Sequence, residues 1–205
     1  MTQELQNLVR QLEAEGREQI MVTGPQRSGT RIAAKILSLE LGLPYVDEDD
    51  IGIDNEEEFA KLLRTARPKR WVLHAPGLSH LLHRIERSLW PRSDTPDAMA
   101  TVGIVWMIRP TIDVIASEDR IKWRTGNHHE KERGKLRGEA NVAFFADDRP
   151  DDYPISCRKN AAWQQVQKPL LGDHAYELHY QALDSHPLWI PKDLRTGFTH
   201  DQTEI

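Results

Sequence analysis

Gln19-Ile20-Met21-Val22-Thr23-Gly24-Pro25-Gln26-Arg27-Ser28-Gly29-Thr30-Arg31-Ile32 reads as a short apolar strand, a tight loop bracketed by two glycines, and the opening of a helix. The helix is expected to run from Thr30 to Leu41, since Ile32, Ile36, Leu37 and Leu41 recur at helical spacing before Gly42. In a strand, loop and helix of this kind the loop N–H groups converge on an anion at the positive end of the helix dipole. The spacing matches the first part of the phosphate-binding pattern G-x-x-x-x-G-K-[ST], but Thr30 stands where the lysine would be and Arg31 follows. The nucleoside-triphosphate version of the loop is therefore broken. A cation is still present, because Arg27 lies inside the loop and its guanidinium is expected to reach the same phosphate from the side.

The same alternation extends outward from this stretch. Before it, Leu5, Leu8, Val9 and Leu12 mark the apolar face of a helix over residues 3–15, ending at Gly16. After it come strands over 44–46, 71–74, 102–108 and 176–180, separated by helical patterns over 56–67, 78–90, 111–122 and 155–167. Short apolar runs divided by helices predict an α/β fold: a parallel sheet of about five strands with helices on both faces, of the P-loop nucleotide-binding type. The 205 residues are expected to form one domain. The stretch 123–154 breaks the rhythm with His128, His129 and the acidic Asp147, Asp148, Asp151 and Asp152. It reads either as a lid with a short helix around 139–145 or as a solvated insertion.

Composition removes several classes of function. Hydrophobic residues make up 39% and charged residues 29%, and no run approaches the roughly 18 consecutive apolar residues of a membrane span. With 27 Lys and Arg against 32 Asp and Glu, no overall positive field exists to hold nucleic acid by counterion release. A single cysteine, Cys157, and a first segment without a cationic and then apolar leader pattern lead to an expected cytoplasmic location. No H-E-x-x-H or Cys/His cluster accompanies His80 and His83 or His128 and His129, so no metal is expected.

Arg27-Ser28-Gly29-Thr30 resembles the K/R-S-G-T-T signature of the sulfotransferase family, the loop that grips the 5′-phosphosulfate end of 3′-phosphoadenosine 5′-phosphosulfate (PAPS). Arg31 replaces the second Thr of that signature. Val105 to Ser117 is similar to the family's strand-to-helix segment R-D-P-R-D-V-x-x-S, in which an Arg and a Ser eight residues later bind the 3′-phosphate. Arg109, Asp113 and Ser117 fall on that spacing, with Pro110 one place early. Eight residues span about 12 Å of helix, so one phosphate is shared only if Arg109 stretches along the helix or Pro110 bends its entry. Leu73-His74-Ala75-Pro76 resembles the K-T-H-L-P segment, which implies that His74 is the general base, with Val72 in place of the lysine. Arg195-Thr196-Gly197 with Asp201 echoes the family's R-K-G-x-x-G-D segment over the 3′-phosphate.

The resemblance implies a transferase that moves a sulfuryl group from PAPS to a hydroxyl or amine of a small-molecule or glycan acceptor, without metal. Arg27 and His74 are the implied catalytic residues. Arg27, Ser28, Gly29, Thr30, Arg31, Arg109, Ser117, Arg195 and Gly197 are the implied donor site. The acidic run Asp47-Glu48-Asp49-Asp50 reads in two ways: Asp47 and Asp49 meet the acceptor, or the run is a solvated loop capping the helix near Glu56. Two other functions compete. One is a P-loop kinase using ATP, since Leu43-Pro44-Tyr45-Val46-Asp47 resembles the acceptor-binding second strand of such enzymes. The other is a non-catalytic module holding a phosphorylated ligand.

Overall fold

The computed structural model describes residues 1–52, 70–79, 82, 102–122 and 154–189. Five parallel strands form one sheet: β1 (Gln19–Thr23), β2 (Tyr45–Asp47), β3 (Trp71–His74), β4 (Val102–Ile108) and β5 (Ala175–His179), in the order β2-β3-β1-β4-β5. The expected helices over 56–67 and 139–145 lie outside the described residues, as do the 123–153 stretch, His80, His83, Arg195, Gly197 and Asp201. Of the helix expected over 78–90, Leu78 closes a 3₁₀ turn (Pro76–Leu78) and Leu82 is helical and buried.

Strand periodicity sorts the core into two layers. Ile20 and Val22 of β1, Val72 of β3, Val105 and Met107 of β4 and Leu178 of β5 face one side. There they pack on α1 (Gln3–Ala14), through Leu5, Leu8, Val9 and Leu12, and on α2 (Thr30–Leu41), through Ala33, Ala34, Ile36 and Leu37. The alternate residues Met21, Leu73, Ile104 and Trp106 face the other side. They meet Trp163 and Leu171 from the connection between β4 and β5. That connection contains α4 (Thr111–Arg120) and α5 (Ile155–Ala162), which continues through a π-turn (Trp163–Gln167) into α6 (Lys168–Leu171). Because both sheet faces are covered, β1, β3 and β4 read as near-continuous apolar runs.

Several boundaries differ from the sequence reading, α1 ending at Ala14 and α4 at Arg120. The helical run does not stop at Gln167 but reaches Leu171 through Pro169. Proline has no N–H to donate and its ring crowds the carbonyl four residues earlier, and the wide π-turn just upstream loosens the ladder there. The fifth strand begins at Ala175, and Tyr180 opens a 3₁₀ turn (Tyr180–Leu183). The second strand extends to Asp47, and Glu48–Ile51 forms a one-turn helix, α3, in place of a solvated loop. Asp47 is its N-cap, accepting from the N–H of Asp49 at 3.2 Å.

The strand order locates the ligand-binding edge. After β1 the chain moves to the outer strand β2 and returns to β3; after β4 it moves the opposite way to β5. β1 and β4 are neighbours whose connections diverge, and open α/β sheets bind ligands in the crevice this leaves at the strands' carboxyl ends.

Candidate anion site at the ends of β1 and β4

The loop between β1 and α2 is built around three residues with positive φ: Gly24 at 142°, Arg27 at 66° and Gly29 at 93°. The carbonyl of Pro25 accepts both from the N–H of Ser28 (3.1 Å) and from its hydroxyl (2.6 Å), closing the turn. Ser28 thus shapes the loop from a buried position. Gly29 is the N-cap of α2, and no side chain caps that helix. Its first-turn N–H groups therefore receive no side-chain cap at the loop, the arrangement from which helix N-termini take up anions.

A left-handed conformation at a non-glycine residue costs roughly 1–2 kcal/mol, and the fold holds Arg27 in it. Arg109 Nη1 donates to the Arg27 carbonyl at 2.7 Å, and Arg27 Nε donates to Ser117 Oγ at 3.3 Å. Arg27 touches both residues of the second segment, Arg109 at its carbonyl and Ser117 at its guanidinium. The Arg109 guanidinium also lies 4.2 Å from the centroid of the Tyr180 ring, and the Cδ2–Cε2 edge of that ring packs against Gly29. Trp189 meets the same ring edge-on at 4.9 Å.

The electrostatics of this corner favour a negative guest. Burial lowers the proton affinity of Arg27, the charges of Arg120 and Arg109 lower it further, and Tyr180 and Glu118 offset only part of this. Crowded cations of this kind are relieved by a bound anion. A further cation comes from α5: Lys159, 1% exposed, donates from Nζ to Gln26 Oε1 of the loop at 2.7 Å. Neither Lys159 nor Tyr180 was among the site residues expected from the sequence. The usable signal for Lys159 was its place on the buried face of its helix, with Ile155, Ala162 and Trp163 at i−4, i+3 and i+4.

Arg31 and the acidic run belong to a second cluster. Arg31 Nε lies 3.3 Å from Asp47 Oδ2 and its Nη2 lies 3.5 Å from Asp49 Oδ2, so its charge is directed to the end of β2. Asp47 is 6% exposed. Its Oδ2 also meets the Tyr45 hydroxyl (2.7 Å) and His74 Nδ1 (3.1 Å). The other ring nitrogen, Nε2, lies 3.0 Å from the hydroxyl of Thr30, the first residue of α2. Asp47, His74 and Thr30 thus form one buried chain of polar contacts from the edge of the sheet to the glycine loop. Burial alone would raise the Asp47 carboxyl, but hydrogen bonds from His74 and Tyr45, the charge of His74 and the Asp49 N–H outweigh it and hold the carboxyl far below the ordinary range. Burial and the Asp47 carboxylate push the Tyr45 hydroxyl well above its ordinary value.

A cavity of about 460 Å³ opens beside Arg109, between Pro110 and Thr111 at the start of α4, Asn160 and Gln164 of the α5 run, and Gln181. Trp106 forms its wall, stacked on Trp163 with centroids 4.7 Å apart. Among the described residues no group of three His, Cys, Asp or Glu side chains is arranged to hold a metal ion, and no helix is long and apolar enough to cross a membrane. The chain has no match among family models, curated proteins or solved structures.

Proposed function

We propose that the protein is a sulfotransferase that takes a sulfuryl group from PAPS and passes it to an acceptor hydroxyl or amine. The observation that supports this most is the meeting of Arg27, Arg109 and Ser117, drawn from two separate sequence segments, at the divergence point of β1 and β4. In this reading the first-turn N–H groups of α2 and Arg27 receive the phosphosulfate, while Arg109 and Ser117 receive the 3′-phosphate. Sulfuryl transfer, like phosphoryl transfer, asks the protein to align nucleophile and leaving group and to stabilise charge growing on the bridging oxygen. Arginines and backbone N–H groups suffice for a donor with one phosphosulfate.

A kinase is the competing reading, and Lys159 is the observation on its side. Its ammonium, beside Gln26, brings lysine charge to a loop whose own position 30 lacks it. Calorimetry with adenosine 3′,5′-bisphosphate, AMP and ATP with Mg²⁺ separates the two. The sulfotransferase reading requires the bisphosphate to bind tightest. Tighter binding of ATP with Mg²⁺ overturns it in favour of the kinase.

A further inference from the structure

His74 has no ring nitrogen left for an acceptor. Ionised Asp47 only accepts hydrogen bonds, so the proton shared with it belongs to His74 Nδ1. When the ring is neutral, Nε2 is the acceptor and the Thr30 hydroxyl is the donor that fills it. An acceptor substrate thus finds both nitrogens occupied. The oxygen of Thr30 is different: a hydroxyl donates once and accepts twice, and among the described residues no donor reaches this one. It sits at the first turn of α2, at the glycine loop where the transferred group would lie.

We propose that Thr30 is the group that touches the acceptor, taking its proton and passing its own to His74, with Asp47 as a positioning residue behind it. The inference rests on the group-transfer reading above. The acceptor O–H bond breaks and its proton goes to Thr30 Oγ1, while the original Thr30 proton moves to His74 Nε2. The electron pair left on the acceptor oxygen forms the new bond to sulfur, and the bond from sulfur to the phosphate oxygen breaks with its pair on the departing bisphosphate. The imidazolium formed is stabilised by Asp47, whose Oδ2 is fixed by the Tyr45 hydroxyl and by Arg31. The buried base thereby acts on a substrate it does not contact.

The test combines the intact protein with Thr30→Val, which keeps the shape and removes the hydroxyl, and Thr30→Ser, which restores it. Bisphosphate affinity by calorimetry reports the donor site, and transfer from PAPS, with water as acceptor if need be, reports the chemistry. Thr30→Val is expected to lower kcat by roughly 10²- to 10⁴-fold, with bisphosphate affinity, to which this position contributes through its backbone N–H, within about threefold, whereas Thr30→Ser recovers most of the rate. The rate in H₂O–D₂O mixtures should depend on two protons in the wild-type protein. ¹⁵N NMR of the wild-type protein should show His74 protonated at Nδ1 and unprotonated at Nε2. Unchanged kcat in Thr30→Val, a Thr30→Ser variant as slow as Thr30→Val, or the opposite tautomer overturns the relay alone. Failure to bind bisphosphate or to turn over PAPS overturns the transfer reading and the relay with it.

Discussion

A β-carbon at Gly29 would lie 2.6 Å from Cδ2 of Tyr180, and the residue's φ of 93° is one that side chains rarely adopt. Gly29→Ala is therefore expected to destabilise the fold by about 1–3 kcal/mol, read as a lower urea midpoint. Adding Tyr180→Ala should recover only part of this, because the ring clash is removed and the backbone strain is not. Arg109 acts in two ways, through its charge and through its bond to the Arg27 carbonyl. Arg109→Ala should reduce affinity for adenosine 3′,5′-bisphosphate by about 1.5–3 kcal/mol, and by much less for AMP, which lacks the group that Arg109 is proposed to pair. Equal losses for both nucleotides in a calorimetric titration would assign Arg109 to loop support only.

Among the elements, α1 shows how a local signal and a distant contact share one residue. Thr2 accepts from the N–H of Leu5 as the N-cap of α1 and donates to the carbonyl of Ala182 at 2.7 Å, tying the helix to the turn after β5. Thr2→Ala should cost about 1 kcal/mol and lower Tm by roughly 2–4 °C in a thermal scan, with little effect on nucleotide affinity. On the opposite face the stacked Trp106 and Trp163 join β4 to the π-turn, and both indole N–H groups are paired, with Asn160 and Glu177. The π-turn places Gln164 in the cavity wall and Gln167 against the carbonyl of Ser79. The α5 run therefore braces both the loop, through Lys159, and the end of the 3₁₀ turn that follows β3, through Gln167.

For the molecule as a whole, acid stability depends on the chain from Asp47 to Thr30. Asp47 titrates lower in the folded state than in the unfolded chain, so its contribution is complete above the unfolded value near pH 4 and is lost as pH falls below it. Asp47→Asn should be less stable than the wild type at pH 7, and the gap between their urea midpoints should narrow from about pH 4 downward. Other carboxylates held low, such as Glu177, titrate in both proteins and cancel in the comparison. A gap that stays constant to pH 2 would remove Asp47 from the acid transition. What the sequence determined by itself is what neighbours along the chain decide. The period-3.6 face of α1, the apolar runs of β1, β3 and β4, and the strand, glycine loop and helix at 19–41 all depend on residues within a few positions, and the structure follows them closely. Tertiary structure alone decided the contacts of the site. Thr30 and His74 are 44 positions apart, Gln26 and Lys159 133, and Arg27 and Ser117 90, and none of these pairs carries a periodic signature. Arg31 shows the physical reason most clearly. Its place after the loop suggested a phosphate contact, but β2 runs parallel to β3 and carries Asp47 to the same edge as His74. A carboxylate fixed at 3.3 Å directs that charge to the end of β2, which spacing along one chain does not encode.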